Sequence, residues 1–293
     1  MKSQARVPRR TLLMGGVAAA ASLAGCGQNR FRPSSPPAQP TAPTVIGLTT
    51  RTPFYIAHRG GGGDWPEMTG YAYQQASQVP GLQALEISAC LTADGVLVCS
   101  HDPTTDRLTG ENYVIADQKW STLSKLKVSP EETSDRHQPA RRLTKFEDVV
   151  DTYLDRFVLF VEPKVAEAVE PMLQMMISKG QPQRVVWKQP INSTTFEKAK
   201  RHGFSTWGYV LNEPAHLGEH LVNHAASPSL DMLGAPQSES DSFVRNVVDA
   251  ANGFGKPTIG WPIRDDADQG RMLRLGCRGL MVSNPVELLS RSR

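Results

Sequence analysis

Cysteine is scarce in this chain, with four in 293 residues. None stands in a Cys/His spacing that would build a structural zinc site. Neither sign of charge dominates: the formal net charge is +3 and the pI is near 8.7. That balance is too mild to argue for a nucleic-acid partner, since much of the basic surplus falls in the N-terminal stretch. A membrane-spanning run is missing as well. The weakly apolar stretch at 11–25 is short and rich in Gly and Ala, which does not make a convincing span.

What is present begins with a basic start, Lys2, Arg6, Arg9 and Arg10, ahead of that apolar stretch. Arg9-Arg10-Thr11-Leu12-Leu13 resembles a twin-arginine export signal. Leu23-Ala24-Gly25-Cys26 resembles a bacterial lipobox, which places residues 1–26 as a signal ending at an acylated Cys26. Two acyl chains would anchor the mature protein at the outer face of the cell membrane; the competing reading is an ordinary secretory signal. Residues 27–53, with Pro33, Pro36, Pro37, Pro40 and Pro43, offer little to bury and read as an extended tether. Residues 54–293 have the length of one α/β barrel.

Along that stretch, strand and helix patterns alternate. Strands are expected over 54–57, 82–91, 157–161, 184–187, 205–211, 230–233, 257–263 and 280–283, with helices between them. Asp94-Gly95 reads as a two-residue hairpin turn into a short strand at 96–100. The polar segment 102–155 reads as a small insertion after the second strand, with one helical piece near 145–153. Eight strands with intervening helices predict a closed (β/α)8, or TIM, barrel.

Chemistry-bearing residues collect where strands end. His58-Arg59-Gly60 follows the first strand, Glu86 and Ser88 stand on the second, His101-Asp102 follows the hairpin, and Glu162-Pro163-Lys164 follows the next strand. In a barrel these ends share one face, which is where such folds do chemistry. Cleaving a phosphodiester needs a base, an acid and positive charge at the phosphoryl oxygens. Imidazole titrates near neutral pH and suits the first two tasks.

The chain resembles the glycerophosphodiester phosphodiesterase family. The resemblance is carried by His58-Arg59-Gly60 with Pro66-Glu67-Met68-Thr69, by Leu85-Glu86-Ile87-Ser88 and by the run from Thr92 to Pro103. It continues through Asp106-Arg107-Leu108-Thr109-Gly110, the run from Leu143 to Val149, Glu162-Pro163-Lys164, Trp261 and the stretch from Gly276 to Pro285. It implies hydrolysis of glycerophosphodiesters to glycerol 3-phosphate and an alcohol, with His58 and His101 as the acid–base pair. Arg59 and Lys164 suit the phosphate, and Glu86 and Glu162 suit a hard divalent ion, Ca²⁺ or Mg²⁺. Trp261 reads either as core or as a wall on the alcohol side of the pocket. The glycine run 60–63 reads as a flexible turn more than as a phosphate cradle.

Three departures from the family pattern stand out: Ser88 replaces an aspartate, Met68 an asparagine, and Ser283-Asn284-Pro285 a more acidic corner. Alternation puts Ser88 on the same face as Glu86, so a carboxylate is lost from the site and metal affinity is expected to fall. Lys188 reads either as a solvated lysine at a loop edge, the blander expectation, or as a fixed positive charge in the mouth. The retained histidines favour an enzyme; the lost carboxylate favours a barrel that only binds a phosphorylated ligand or an envelope partner. A phospholipase acting on intact lipids is a third reading. A two-residue turn at Asp94-Gly95 would set Cys90 opposite Cys99, close enough for a disulfide, with two buried thiols as the alternative.

Overall fold

The computed structural model describes residues 43–290. The twin-arginine motif and Cys26 lie outside the described residues. Among the described residues, eleven strands follow one another: β1 (Phe54–Ala57), β2 (Ala84–Leu91), β3 (Leu97–Cys99), β4 (Lys127–Val128), β5 (Arg141–Arg142), β6 (Val158–Pro163), β7 (Val185–Pro190), β8 (Ser205–Tyr209), β9 (Met232–Pro236), β10 (Thr258–Ile263) and β11 (Gly279–Val282). β1, β2 and β6 to β11 are parallel, and β1 pairs with both β2 and β11, which closes the expected barrel.

Alternation along each strand divides the barrel into two apolar layers. Inward positions Phe54, Ile56, Ala84, Val158, Phe160, Val186, Trp207, Met232, Ile259 and Met281 fill the interior. Outward positions such as Leu85, Ile87, Leu159, Val161 and Trp187 pack beneath the helices. The inward column turns polar toward the strands' C-terminal ends. Above Ala84 come Glu86 and Ser88, above Phe160 comes Glu162, and above Val186 comes Lys188.

Residues 27–53 are not a tether throughout. A helix spans Val45–Thr49, capped by the Thr44 side chain, which accepts from the Gly47 amide. Its Val45 and Leu48 join the interior cluster near the strands' N-terminal ends. The apolar Val45, Ile46 and Leu48 separate this piece from the proline-rich residues before it, so the barrel body begins earlier than 54.

The strand expected at 230–233 runs instead over Met232–Pro236. Its glycine and proline mask β-propensity, and the glycine is there for space. A Cβ on Gly234 would stand 2.4 Å from the Trp207 ring, so a side chain is excluded where the indole crosses the barrel.

The hairpin between β2 and β3 also differs from expectation. Leu91 pairs with Leu97, Cys90 with Val98 and Ala89 with Cys99. Three residues, Ala93 to Gly95, make the loop, with Gly95 at φ 78° and the Thr92 amide bonded to the Val96 carbonyl. That one-residue difference sends the two cysteines to opposite faces. Cys90 enters the insertion's core with Val98, Leu108, Ile115 and Leu123, whereas Cys99 joins the main core. Both are free, buried thiols, and burial pushes Cys90 up to about 12. The disulfide expectation is therefore corrected.

The insertion is a structured cap. It carries its own apolar cluster and a short antiparallel pair, Lys127 with Arg142 and Val128 with Arg141. The Ser134 amide donates to the Gly63 carbonyl (2.7 Å), and Gln138 Nε2 donates to the Asp64 carbonyl (2.7 Å). These bonds hold the cap over the end of β1.

Candidate active site

The chain turns sharply after β1. Arg59 sits in the left-handed region (φ 53°), as does Met68 (φ 59°), a conformation that costs an ordinary side chain energy and suits asparagine better than methionine. Met68 is held there by its contacts. It is buried, its amide donates to the Arg59 carbonyl, and its Sδ accepts from the Tyr73 hydroxyl at 3.0 Å. The glycine run 60–63 is a turn, as expected. The amides of Gly61 and Gly62 donate to the His58 carbonyl and that of Gly63 to the Ser283 carbonyl, so these three are not free to cradle an anion.

The left-handed Arg59 aims its own amide into the barrel mouth, where it donates to Glu86 Oε2 at 2.7 Å. Its guanidinium reaches Glu67 (Nη1 to Oε2, 3.0 Å), and its Nε is buried without a partner. His58 is buried, with Nδ1 3.0 Å from the Ser283 hydroxyl. His101 Nδ1 lies 2.8 Å from Asp102 Oδ1, and its Nε2 is 3.4 Å from Lys164 Nζ. Burial first, then the charges of Arg59 and Lys188, hold His58 well below the usual imidazole range. Burial, Arg59 and Lys164 also lower His101, against the opposing hydrogen bond to Asp102.

At the centre is Lys188, on β7 between the two glutamates. Its Nζ is 2.7 Å from Glu86 Oε1 and 2.7 Å from Glu162 Oε2. The side chain is 5% exposed and passes the rings of Trp207 and Tyr209. The solvated-lysine expectation is thus corrected, and the fixed charge in the mouth is what the fold builds. The Ser88 hydroxyl lies 2.9 Å from Glu86 Oε1 and 3.0 Å from Glu162 Oε2, on the face expected for it. Glu162 Oε1 accepts from Lys164 Nζ at 3.0 Å and from the Tyr209 hydroxyl at 2.9 Å. Burial alone would raise both carboxyls, but Lys188 outweighs it, aided by the Arg59 amide at Glu86 and by Lys164 at Glu162. Each is held at about 2.

The divalent ion expected at Glu86 and Glu162 does not fit these residues. All four carboxylate oxygens already accept from protein donors, and an ammonium stands where both carboxylates point. Among the described residues, no three His, Cys, Asp or Glu side chains converge in a group that could hold a metal ion.

Sequence reasoning gave no role to Arg107 or Glu67. Arg107 leaves the insertion to bridge three carboxylates: Asp102 Oδ2 (2.5 Å), Glu67 Oε1 (2.7 Å) and Glu132 Oε2 (2.6 Å). It thereby fixes the carboxylate that orients His101 and ties it to the one that holds Arg59. The residue lies within Asp106-Arg107-Leu108-Thr109-Gly110, a stretch noted in the sequence for its family pattern alone. Trp261 is half-buried, edge-on to Trp207 with ring centroids 5.5 Å apart and packed on Tyr209 at 5.6 Å. Beside His58 opens a cavity of about 370 Å³, lined by His58, Arg59, Glu67, Thr133, Arg264 and Asn284 among others.

Comparison with known proteins identifies the family and the fold. A sequence model of the glycerophosphoryl diester phosphodiesterase family matches residues 58–287. A glycerophosphodiester phosphodiesterase of Caldanaerobacter subterraneus is 24% identical over 80% of this chain and 96% of its own length. A lysophospholipase D of Homo sapiens is 37% identical over 28% of this chain, a match that spans 26% of the human protein. A glycerophosphodiester phosphodiesterase of Arabidopsis thaliana is matched over 20% of its length. The matched part is thus a small fraction of those two relatives. Among solved structures, a glycerophosphodiester phosphodiesterase of Thermotoga maritima superimposes with TM-score 0.67 at 21% identity, covering 82% of this chain and 98% of the other. An Oleispira antarctica phosphodiesterase, solved with the product sn-glycerol-3-phosphate, gives 0.64 at 22% identity over 82% and 96% of the two chains.

Proposed function

The chain belongs to the glycerophosphoryl diester phosphodiesterase family, and on that premise we propose that it hydrolyses glycerophosphodiesters to glycerol 3-phosphate and an alcohol. The observation that carries this reading is the pair of histidines at strand ends, each fixed through Nδ1, beside the buried Lys188 and the half-buried Arg59 and Lys164. With Nδ1 donating to Asp102, neutral His101 keeps its one lone pair on Nε2 at the site, 3.4 Å from Lys164 Nζ, and that lone pair is free for a proton once the ammonium turns to the phosphoryl oxygens. It takes the proton from the attacking water as the new P–O bond forms. His58 gives a proton to the departing alkoxide as the other P–O bond breaks. The half-buried Arg59 guanidinium and Lys164 carry the phosphoryl oxygens. The cavity beside His58 holds one alcohol arm, and Trp261 walls the other. The test is release of glycerol 3-phosphate from a panel of head-group diesters. No release from any of them removes the enzymatic reading in favour of a binding barrel.

Export and anchoring are part of the same proposal, supported by Arg9-Arg10 and Leu23-Ala24-Gly25-Cys26. In its native host the protein partitions with membranes, and Cys26→Ser moves it to the soluble fraction. An unmutated protein found soluble refutes the anchor. Two acyl chains on one cysteine give the affinity that a single chain lacks.

A further inference from the structure

We propose that Lys188 is the resident cation of this active site: its ammonium replaces a divalent ion between Glu86 and Glu162, and phosphodiester cleavage proceeds without metal. This rests on the phosphodiesterase reading above.

The geometry carries it in three steps. First, Lys188 Nζ makes two contacts of 2.7 Å, one with an oxygen of each glutamate. A hard cation bridging the two glutamates at that point would bind through those same oxygens. The remaining two oxygens are engaged by the Arg59 amide, Lys164 and Tyr209, so no carboxylate oxygen is left over. Second, a divalent ion entering beside Lys188 would meet a buried like charge in a poorly screened place. To admit the ion, the lysine must leave, yet its side chain is 5% exposed and is walled by Trp207 and Tyr209. Third, the position that would complete an oxygen cage carries a neutral group. Ser88 Oγ lies 2.9 and 3.0 Å from the two shared carboxylate oxygens. A neutral hydroxyl there matches a centre holding one positive charge; a divalent ion would call for another carboxylate.

The role is electrostatic. Lys188 lies on the inward column of β7, next to the column of β6 that ends in Glu162 and Lys164. A fixed cation at the floor of the mouth, with Arg59 and Lys164 beside it, offsets the charge that grows on the phosphoryl oxygens. Being held in place beforehand, it needs no reorganisation as that charge develops. The same ammonium keeps both glutamates ionised, so they in turn hold the Arg59 amide and Lys164 in position.

The experiment uses the purified exported chain and two independent readouts. Titration of wild type with Ca²⁺ or Mg²⁺ alone is followed by calorimetry and by thermal melting, and glycerol 3-phosphate release is measured in excess chelator. The expected result is no heat of binding, no shift in melting temperature, and chelator-resistant hydrolysis. Lys188→Ala lowers turnover by about 10²-fold or more. The double change Ser88→Asp with Lys188→Ala builds a three-carboxylate cage. It is expected to bind Ca²⁺ or Mg²⁺, to melt higher with the ion than without it, and to regain activity only when the ion is added. A lysine serving packing alone would not produce that rescue. Wild type that binds the ions and loses activity in chelator overturns the proposal and leaves the phosphodiesterase reading standing. Wild type that hydrolyses no diester under any condition overturns that reading, and the catalytic role of Lys188 with it. Because the wild-type arms involve no mutation, a variant that fails to fold leaves the decision intact.

Discussion

Replacing His101 or His58 by alanine lowers kcat for a glycerophosphodiester by about 10²-fold or more, the usual contribution of a positioned acid–base group. The two variants are expected to differ in kind. His58 is assigned to the leaving oxygen, so the deficit of His58→Ala shrinks on a p-nitrophenyl diester, whose weakly basic nitrophenolate departs without a proton. His101 is assigned to the attacking water, so His101→Ala is equally impaired on both substrates. Steady-state kinetics on the two diesters with circular dichroism of each variant checks this, and the reverse pattern exchanges the roles. Asp102→Asn follows His101 at reduced size, because the residue acts through the Nδ1 bond of 2.8 Å.

The same pair sets the pH dependence. Both imidazoles are shifted below 6.5, each first by burial. A base works once deprotonated, and a lowered pKa moves the rising limb of kcat/KM to more acid pH. An acid must be protonated, and its lowered pKa brings the falling limb down as well. The optimum for kcat/KM, which reports the free enzyme, therefore lies on the acid side of 6.5. An optimum above neutrality places other groups in these roles.

How far the site could be read from residues depends on which kind of neighbour defines each one. His58, Glu86, His101 and Glu162 stood out because each closes or follows an apolar run, and the barrel then does the gathering. Lys188 could be seen but not oriented. In a parallel strand buried on both faces, Val185, Val186 and Trp187 are all apolar, so no alternation shows which way the next residue points. Only the fold shows that Val186, and hence Lys188, faces inward. Arg107 and Glu67 were illegible for a different reason. They lie forty residues apart, in an insertion and a turn that meet only after the cap folds. The cysteine pair failed on a single loop residue, since strand periodicity of two makes any register error a change of face.

The largest stability effect is expected at the centre of the site. Lys188→Met keeps an unbranched side chain of similar length and removes only the charge. It leaves Glu86 Oε1 and Glu162 Oε2, each formerly 2.7 Å from one ammonium, facing each other inside the protein. Breaking a buried pair by removing one partner costs about 3–5 kcal/mol, a large share of a domain's net stability. The pH dependence identifies the source. In wild type both carboxyls titrate at about 2, below their ordinary 4.5. Their contribution is therefore present above about 4.5 and lost as pH falls from there through about 2. Without Lys188 the sign reverses. Burial and the facing like charge raise at least one carboxyl above its unfolded value, so its penalty grows with pH and disappears in acid. The stability gap between wild type and Lys188→Met, measured by urea unfolding, is thus widest at pH 7 and narrower at pH 4. Lys188→Met with Glu86→Gln removes one negative charge along with the positive one and recovers part of the loss at pH 7. A gap of equal size at both pH values would assign the cost to packing, and the ammonium would not be what holds the two glutamates together.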